Sequence, residues 1–405
     1  MTHDFVVDAL GVGLRVEVDG MSRDDFRRLR AQWSRVSAPR SRVAAPRSRV
    51  TAQRAPSGTI SAVLGEPAHG ADVSGRDFDE VSVALRQMIN LRAIESRREE
   101  LLMFHAAGLA DPTTGHVIAL IGPSGAGKTT AASTLGRVLG YVSDETVAVD
   151  ASGEVHPFPK PLAVKQRNTP RKSIAGPDAL GLVDVRAPLQ LTRLALLDRR
   201  EEPVAPAITT LGMGEVLAQV IEQTSYFASL PRALRRLEAR IRISGGVHVI
   251  RYHRAADLHD PVCELLRRPA AHLAQEEGPA VRDVEAVAGA LPPGAYGRQE
   301  VDDWIDTGRE VLILVGGKTS RLSPLGSVLW NALETPLPLD DLVARAEAVF
   351  GPAPEDAARI TVQSMLDEFV AAGFVRRNGK DAQGGSAEND TEGDGLPSDV
   401  ASLSS

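Results

Sequence analysis

Nine consecutive residues have the types and spacing of a phosphate-binding loop. The run Gly122-Pro123-Ser124-Gly125-Ala126-Gly127-Lys128-Thr129-Thr130 contains the pattern G-x-x-x-x-G-K-[ST]. Glycines allow successive backbone N–H groups to turn toward phosphate oxygens, the lysine reaches the terminal phosphates, and the hydroxyl after it can bind Mg²⁺. The sequence therefore predicts a nucleotide site in which Lys128 binds phosphate and Thr129 binds the metal ion.

The loop must be positioned by a strand before it and a helix after it. Residues 116–121 are apolar and β-branched, which predicts a buried strand, and residues 130–139 predict a helix whose N-terminal dipole faces the phosphates. Residues 101–110 predict a second strand, joined to the first by a turn over residues 111–115. We therefore expect two strands joined by a tight turn to lead into the nucleotide site.

Two stretches further along the chain supply carboxylates for this site. Asp144 and Glu145 follow an apolar segment, and a carboxylate there could bind Mg²⁺ or accept a proton from an attacking hydroxyl. Asp198 also ends an apolar strand, so it competes with Asp144 for the metal. Either aspartate could instead be a turn or surface residue. Arg199 and Arg200 could face the phosphates or stay solvated.

Composition limits the class of protein. The chain has 405 residues, 43% of them hydrophobic, so it can bury a sizeable core over two or more domains. Its formal net charge of −7 argues against general affinity for nucleic acid or a membrane surface. One cysteine excludes an internal disulfide, and neither a signal peptide nor a run of transmembrane length is recognisable. These features predict a cytoplasmic protein.

Changes in composition divide the sequence. A basic repeat with a period of seven residues has the spacing of a coiled coil, but Pro39 and Pro46 exclude one. We expect six parts: an N-terminal strand and helix segment (1–34), a basic low-complexity linker (35–58), an α/β nucleotide domain (59–275), a second linker (276–299), a small domain of three strands and three helices (300–377) and a disordered acidic tail (378–405).

The nucleotide domain resembles the catalytic domain of HPr serine kinase and its relatives. The resemblance rests on four segments: FHAA at 104–107, GPSGAGKT at 122–129, VSDE at 142–145 and PFPK at 157–160. It is closest to HPr-kinase-related proteins from clusters that make ribosomally synthesised, modified peptides. The resemblance implies a P-loop α/β fold, distantly similar to phosphoenolpyruvate carboxykinases, with ATP and Mg²⁺ as cofactors.

The same resemblance implies roles for single residues. Asp144 matches the family's catalytic aspartate, and His105 matches a histidine near the phosphates. Together with Lys128, these are the catalytic residues that we expect, and Thr129 and Asp144 are the expected Mg²⁺ ligands. Glu145 departs from the family, which usually has a second aspartate at this position. His105 lies in an apolar run, so a purely structural role is its alternative reading.

The C-terminal part resembles PqqD-like peptide chaperones, also called RiPP recognition elements. The segments SRLSPLGSVLWN at 320–331 and LDEFVAAGFV at 366–375 carry this resemblance. It implies a winged-helix-like domain on which the leader of a ribosomal peptide precursor docks as an added strand. The docking edge would begin at Lys318 and end at Leu322, against the third helix of the domain. DNA binding is disfavoured because residues 300–377 contain 7 Lys and Arg against 13 Asp and Glu.

These observations predict an ATP-dependent kinase that acts on a Ser or Thr hydroxyl of a peptide precursor. Asp144 would orient or deprotonate the hydroxyl, while Lys128 and Mg²⁺ would stabilise the transferred charge. The alternative is a non-catalytic ATP-binding chaperone that delivers the precursor to another enzyme. A nucleotide-gated regulator that binds DNA is a third, weaker reading. We expect no nucleic-acid or membrane partner, while a homo-oligomer and reversal by inorganic phosphate stay open.

Overall fold

The computed structural model describes residues 2–37, 56–66, 70–165, 172–185, 188–269, 290–308, 310–354 and 356–378. Most of the predicted basic linker, much of the second linker and nearly all of the acidic tail lie outside the described residues. Within these ranges the architecture is mixed α/β, as predicted. The chain divides into two compact units, the first within residues 1–283 and 301–327 and the second within residues 284–300 and 328–405.

The first unit begins with a small sheet and two helices. The elements are β1 (His3–Ala9), β2 (Val12–Asp19), α1 (Arg23–Gln32), β3 (Gly58–Leu64), β4 (Val73–Gly75) and α2 (Phe78–Ser96). The sheet order is β1-β2-β3-β4. Fully buried and half-buried residues alternate along β1 and β2, which is typical of a sheet with one covered face. Both helices pack into that covered core, and Ser22 and Asp77 cap their N-termini.

A larger sheet carries the predicted nucleotide site. Its strands are β5 (Leu102–Ala110), β6 (His116–Ile121), β7 (Gly140–Ser143), β8 (Thr146–Val149), β9 (Val155–His156), β12 (Gln190–Arg199), β13 (Ala207–Leu211), β14 (Thr224–Ser225) and β15 (Val247–Tyr252). The main order is β13-β15-β12-β6-β5-β8-β9, and β7 and β14 also pair with β5. Strands β6, β12 and β15 are parallel, whereas β5 is antiparallel to β6. The predicted pair of strands before the loop is therefore confirmed.

Both faces of this sheet are buried. Along β6, Ala119 and Ile121 enter one core, and Ile118 and Leu120 enter the other. The helices that cover the two faces are α3 (Lys128–Leu135), α4 (Met213–Glu222), α5 (Ala233–Ser244) and α6 (His259–Arg267). Helices α3 and α6 lie on the second face, and α4 and α5 on the first. The antiparallel pair of β10 (Leu162–Lys165) and β11 (Lys172–Ala175) is a separate sheet. Burial on both faces explains why the strands read as continuous apolar runs.

Three strands from the C-terminal part also belong to the first unit. After β16 (Ala295–Arg298), the chain forms β17 (Asp303–Asp306), β18 (Val311–Val315) and β19 (Lys318–Arg321), in the order β17-β18-β19. Ile305 and Leu312 pack in the same core as α5. Asp303 forms an ion pair with Arg235 of α5 at 3.2 Å. This small sheet is therefore fixed to the core of the large sheet.

The second unit is smaller. It contains β16, β20 (Leu337–Pro338), α8 (Leu339–Phe350), α9 (Ala357–Ala371) and β21 (Val375–Arg377). Its sheet has the order β20-β16-β21. Helix α7 (Pro324–Ala332) contains the position at which the chain passes from the first unit to the second. The buried guanidinium of Arg298 donates to the carbonyl oxygen of Trp330 at 2.9 Å and so satisfies the end of α7.

Candidate nucleotide site

The phosphate-binding motif forms a loop between β6 and α3. Gly125 and Gly127 have φ angles of +86° and +94°, a region that residues with a side chain rarely adopt. No side chain caps α3 at Gly127, in contrast to α1 and α2. The N–H groups of the first helical turn are thus left for a ligand, and the helix dipole favours an anion there.

Lys128 lies inside this loop. Its residue is 7% exposed, and its Nζ donates to the carbonyl oxygens of Gly122 and Pro123, the latter at 2.9 Å. Burial lowers the pKa of Lys128 to about 8, although Glu145 and Asp144 act in the opposite direction. Within the described residues, the hydrogen bonds of this ammonium group go to neutral carbonyls, and the two carboxylates act on it only through their charge. The loop is therefore suited to an anion such as a phosphate.

Tyr252, at the end of β15, holds the loop from one side. Its hydroxyl donates to the carbonyl oxygen of Ala126. A Cβ atom on Gly127 would lie 2.9 Å from this hydroxyl oxygen, which is closer than packed atoms allow. Glycine is thus required at residue 127 both by the backbone angle and by the close approach of Tyr252.

Asp144 lies against the loop, between β7 and β8. It is 1% exposed, and its Oδ2 accepts a hydrogen bond from Thr129 Oγ1 at 3.3 Å. The hydroxyl of Tyr141 is 3.4 Å from Asp144 Oδ1. The fold thus brings together the two oxygen groups that the sequence singled out for Mg²⁺. Among the described residues, no group of three or more His, Cys, Asp or Glu is placed to hold a metal ion.

Arg86 joins the site from α2. Its Nη2 donates to Asp144 Oδ2 at 3.1 Å and to Glu145 Oε2 at 2.9 Å, and its Nε donates to the carbonyl of Pro161 at 2.9 Å. The sequence did not predict this residue. The signal that could have found it is an arginine that lies between the apolar helix positions Leu85 and Ile89.

Lys160 is the second cation on the two carboxylates. Its side chain is fully buried, forms an ion pair with Glu145 Oε2 and lies 4.0 Å from Asp144 Oδ1. Burial alone would raise the pKa of Glu145, but the charges of Lys160 and Arg86 lower it to about 2. Two carboxylates and two cations therefore form a closed charge cluster beside the phosphate loop, and this cluster also contains the family-matching Asp144.

His105 lies on β5 at the level where the loop begins. The next residue, Ala106, pairs with Ile121, the last residue of β6, and His105 itself pairs with Thr146 of β8. Burial, followed by the positive charge of Lys128, lowers the pKa of His105. The imidazole is therefore neutral at pH 7, and it lies close enough to Lys128 for that charge to affect its pKa.

Asp198, the other candidate for the metal ion, lies near the end of β12 and is bound to arginines. It pairs with Arg200 at 2.7 Å and with Arg251 at 3.2 Å. Of the two aspartates, Asp144 is thus the one that reaches Thr129.

Comparison with known families identifies the C-terminal part. The family model for coenzyme PQQ synthesis protein D (PqqD) matches residues 310–375. The chain therefore contains a PqqD-like domain, which suggests a role in peptide binding during the biosynthesis of ribosomally synthesised, modified peptides. No match was found among curated proteins. The likeness of residues 100–165 to HPr serine kinases stays a prediction. None of the helices that the structure describes combines the length and apolar character needed to cross a bilayer.

Proposed function

We propose that this protein is an ATP-dependent kinase of the HPr-kinase type. It transfers phosphate to a Ser or Thr hydroxyl of a ribosomally synthesised peptide precursor. The observation that carries the proposal is the 3.3 Å contact between the Thr129 hydroxyl and the buried Asp144 carboxylate, next to a loop shaped for phosphate. P-loop kinases need this pairing of a loop hydroxyl with a nearby acid.

Each group then has a distinct task. The N–H groups of the loop and Lys128 bind the phosphates, while Asp144 orients the acceptor hydroxyl and takes its proton. Thr129 and Asp144 supply the protein oxygens for Mg²⁺, which when bound neutralises charge on the phosphate oxygens. His105 is assigned to this site because its imidazole is near enough to Lys128 for that positive charge to lower its pKa.

The edge strand β19 is the proposed docking site for the leader peptide. The N–H of Leu322 donates to the carbonyl of Val311 in β18 at 2.9 Å. Along an antiparallel strand, the backbone N–H and C=O groups of every second residue face the partner strand. The N–H of Ser320 therefore also faces β18, whereas the N–H groups of Thr319 and Arg321 point away from it. In the described part of the chain, β18 is the only strand that pairs with β19. The outer edge can therefore accept a peptide strand.

Because this sheet is attached to the nucleotide-binding unit, a leader bound to it would keep the core peptide near the phosphate loop. The ion pair between Arg235 and Asp303 and the shared apolar core fix β17–β19 to the first unit. A leader held on β19 raises the local concentration of the attached core peptide around the phosphate loop.

The test is transfer of label from [γ-³²P]ATP to candidate precursor peptides encoded beside the gene. We expect labelled peptide with the unaltered protein and with Arg137→Ala, an exposed control just after α3. Lys128→Ala should give none, because the phosphates lose their only buried lysine in the loop. Absence of transfer with every candidate peptide, or full transfer by Lys128→Ala, contradicts the proposal.

Arg321→Pro should weaken binding of the leader peptide by about tenfold, because proline removes one outward N–H from the edge strand. The same N–H makes no bond to β18, so the fold should survive. Arg321→Ala keeps the N–H and controls for the exposed side chain. Fluorescence anisotropy of a labelled leader measures the affinity. Equal loss in both variants would mean that the side chain, and not strand addition, binds the leader.

A non-catalytic chaperone is the second candidate. The observation in its favour is that Arg86 and Lys160 already engage both carboxylates of the site. An aspartate held in this way is less available as a base. Binding of both ATP and leader, without label transfer to any peptide, would support this alternative.

A further inference from the structure

Two consecutive arginines at the end of β12 lie on different faces of the large sheet. Side chains alternate along a strand, so Arg199 shares a face with Leu197. Leu197 belongs to the same core as α3, and its Cβ is 3.5 Å from the Cβ position of Gly122 in the phosphate loop. Arg199 is therefore on the loop side of the sheet.

Contacts at the loop agree with this placement. Arg199 Cδ is 3.9 Å from the position of a Cβ on Gly127, the last glycine before Lys128. On the neighbouring strand, Arg199 pairs in register with Tyr252, whose hydroxyl bonds the loop carbonyl of Ala126. The carboxyl ends of parallel strands, where β6, β12 and β15 meet, are also where α/β sheets bind nucleotides.

Arg199 and Arg200 differ in their partners. Arg200 and Arg251 both pair with Asp198 on the opposite face, at 2.7 and 3.2 Å. Arg199 is exposed, and no carboxylate among the described residues forms an ion pair with it. Arg200 is thus bound to an acid, whereas the Arg199 side chain lies beside the phosphate loop without an ion pair to any described carboxylate.

We propose that Arg199 is a phosphate-binding residue of the nucleotide site. Its guanidinium contacts the phosphate oxygens of a nucleoside triphosphate. It approaches from one side of the loop, and the charge cluster that contains Asp144 lies on the other side. A planar guanidinium can donate two parallel hydrogen bonds to a phosphate, which lysine cannot. This inference rests on the nucleotide-binding part of the proposed function and does not require transfer to a peptide.

The experiment measures equilibrium binding of a fluorescent ATP analogue carrying an N-methylanthraniloyl group to the full chain. We expect Arg199→Ala to weaken binding by about tenfold or more, and Arg199→Lys to restore it only in part. Arg200→Ala removes the same charge one residue away and should stay within about twofold. Inorganic tripolyphosphate, used as a competitor, should lose affinity for Arg199→Ala by a similar factor because it has no base or ribose.

The outcomes separate this inference from the proposed function. If the unaltered chain binds the analogue and Lys128→Ala does not, but Arg199→Ala and Arg200→Ala bind equally, the role of Arg199 is wrong and the nucleotide site stands. If tripolyphosphate binding is unchanged in Arg199→Ala, the residue does not contact phosphate. If the unaltered chain binds no nucleotide, both the site and the role of Arg199 fall.

Discussion

Asp144→Asn is expected to reduce the rate of phosphate transfer to the peptide by about 10²- to 10⁴-fold, which is the usual contribution of a general base. Asparagine keeps the shape of the side chain and its bond to the Thr129 hydroxyl, but it cannot accept a proton. The N–H groups of the loop, Lys128 and Thr129 are unchanged, and asparagine keeps one side-chain oxygen for Mg²⁺, so affinity for ATP should fall far less than the rate. Single-turnover transfer of label, measured at saturating ATP, separates the two quantities.

Glu145→Gln is the matched control for this prediction. Glu145 carries the same charge, contacts the same two cations and follows Asp144 directly, but it does not reach Thr129. Its variant should therefore keep most of the transfer rate. An equal loss in both variants would show that the total charge of the cluster matters, and not a proton acceptor at residue 144.

The local parts of the site were accessible from the sequence. The strand, loop and helix around Lys128 follow from a contiguous pattern. Residues 116–121 form β6, whereas the helix begins at Lys128 and ends at Leu135, earlier than the predicted range of 130–139. Asp144 could be singled out because an acid directly after an apolar strand lies at the edge of a sheet. The sequence did not show which face of the sheet each residue of β12 occupies, so it left open whether Arg199 and Arg200 face the phosphate loop or the solvent. That choice depends on the phase of the strand, which only the packed sheet fixes.

The distant parts of the site were not accessible. Arg86 lies 58 residues before Asp144, and only the packing of α2 brings its guanidinium to the carboxylates. The sequence shows Lys160 only as a basic residue in a Pro-rich segment. Its ion pair with Glu145 could not be predicted, because it depends on how the chain folds around the buried site. Likewise, the sequence assigns β17–β19 to a C-terminal domain, and the family match includes β18 and β19, but the core that these strands share with α5 could not be predicted.

Arg86→Leu should destabilise the first unit by about 3–5 kcal/mol, the typical cost of removing one partner from a buried ion pair. The side chain of Asp144 has no exposed surface, and that of Arg86 has 11%. Without the guanidinium, two carboxylates must share the single charge of Lys160. Urea unfolding at pH 7 measures the free energy of unfolding. The matched control is Arg92→Leu on the same helix, where the side chain is 48% exposed and pairs with Asp72; its loss should be about 0–1 kcal/mol.

Acid gives this prediction a second, independent readout. The pKa of Glu145 is about 2 in the folded chain, against an ordinary value of 4.5, so its ion pairs stabilise the fold fully above about pH 4.5. That stabilisation is lost as the pH falls through the folded pKa of about 2. Both chains begin to lose stability near pH 4.5, where the carboxyl of the unfolded chain is protonated. Arg86→Leu removes one of the cations that lower the folded pKa, so in the variant this loss should be smaller and should be complete at a higher pH. The gap between the unaltered chain and the variant should therefore narrow below pH 4.5, because a protonated carboxyl needs no guanidinium. A gap that is the same at pH 7 and pH 3.5 would mean that Arg86 stabilises the fold through packing, and not through its charge on Asp144 and Glu145.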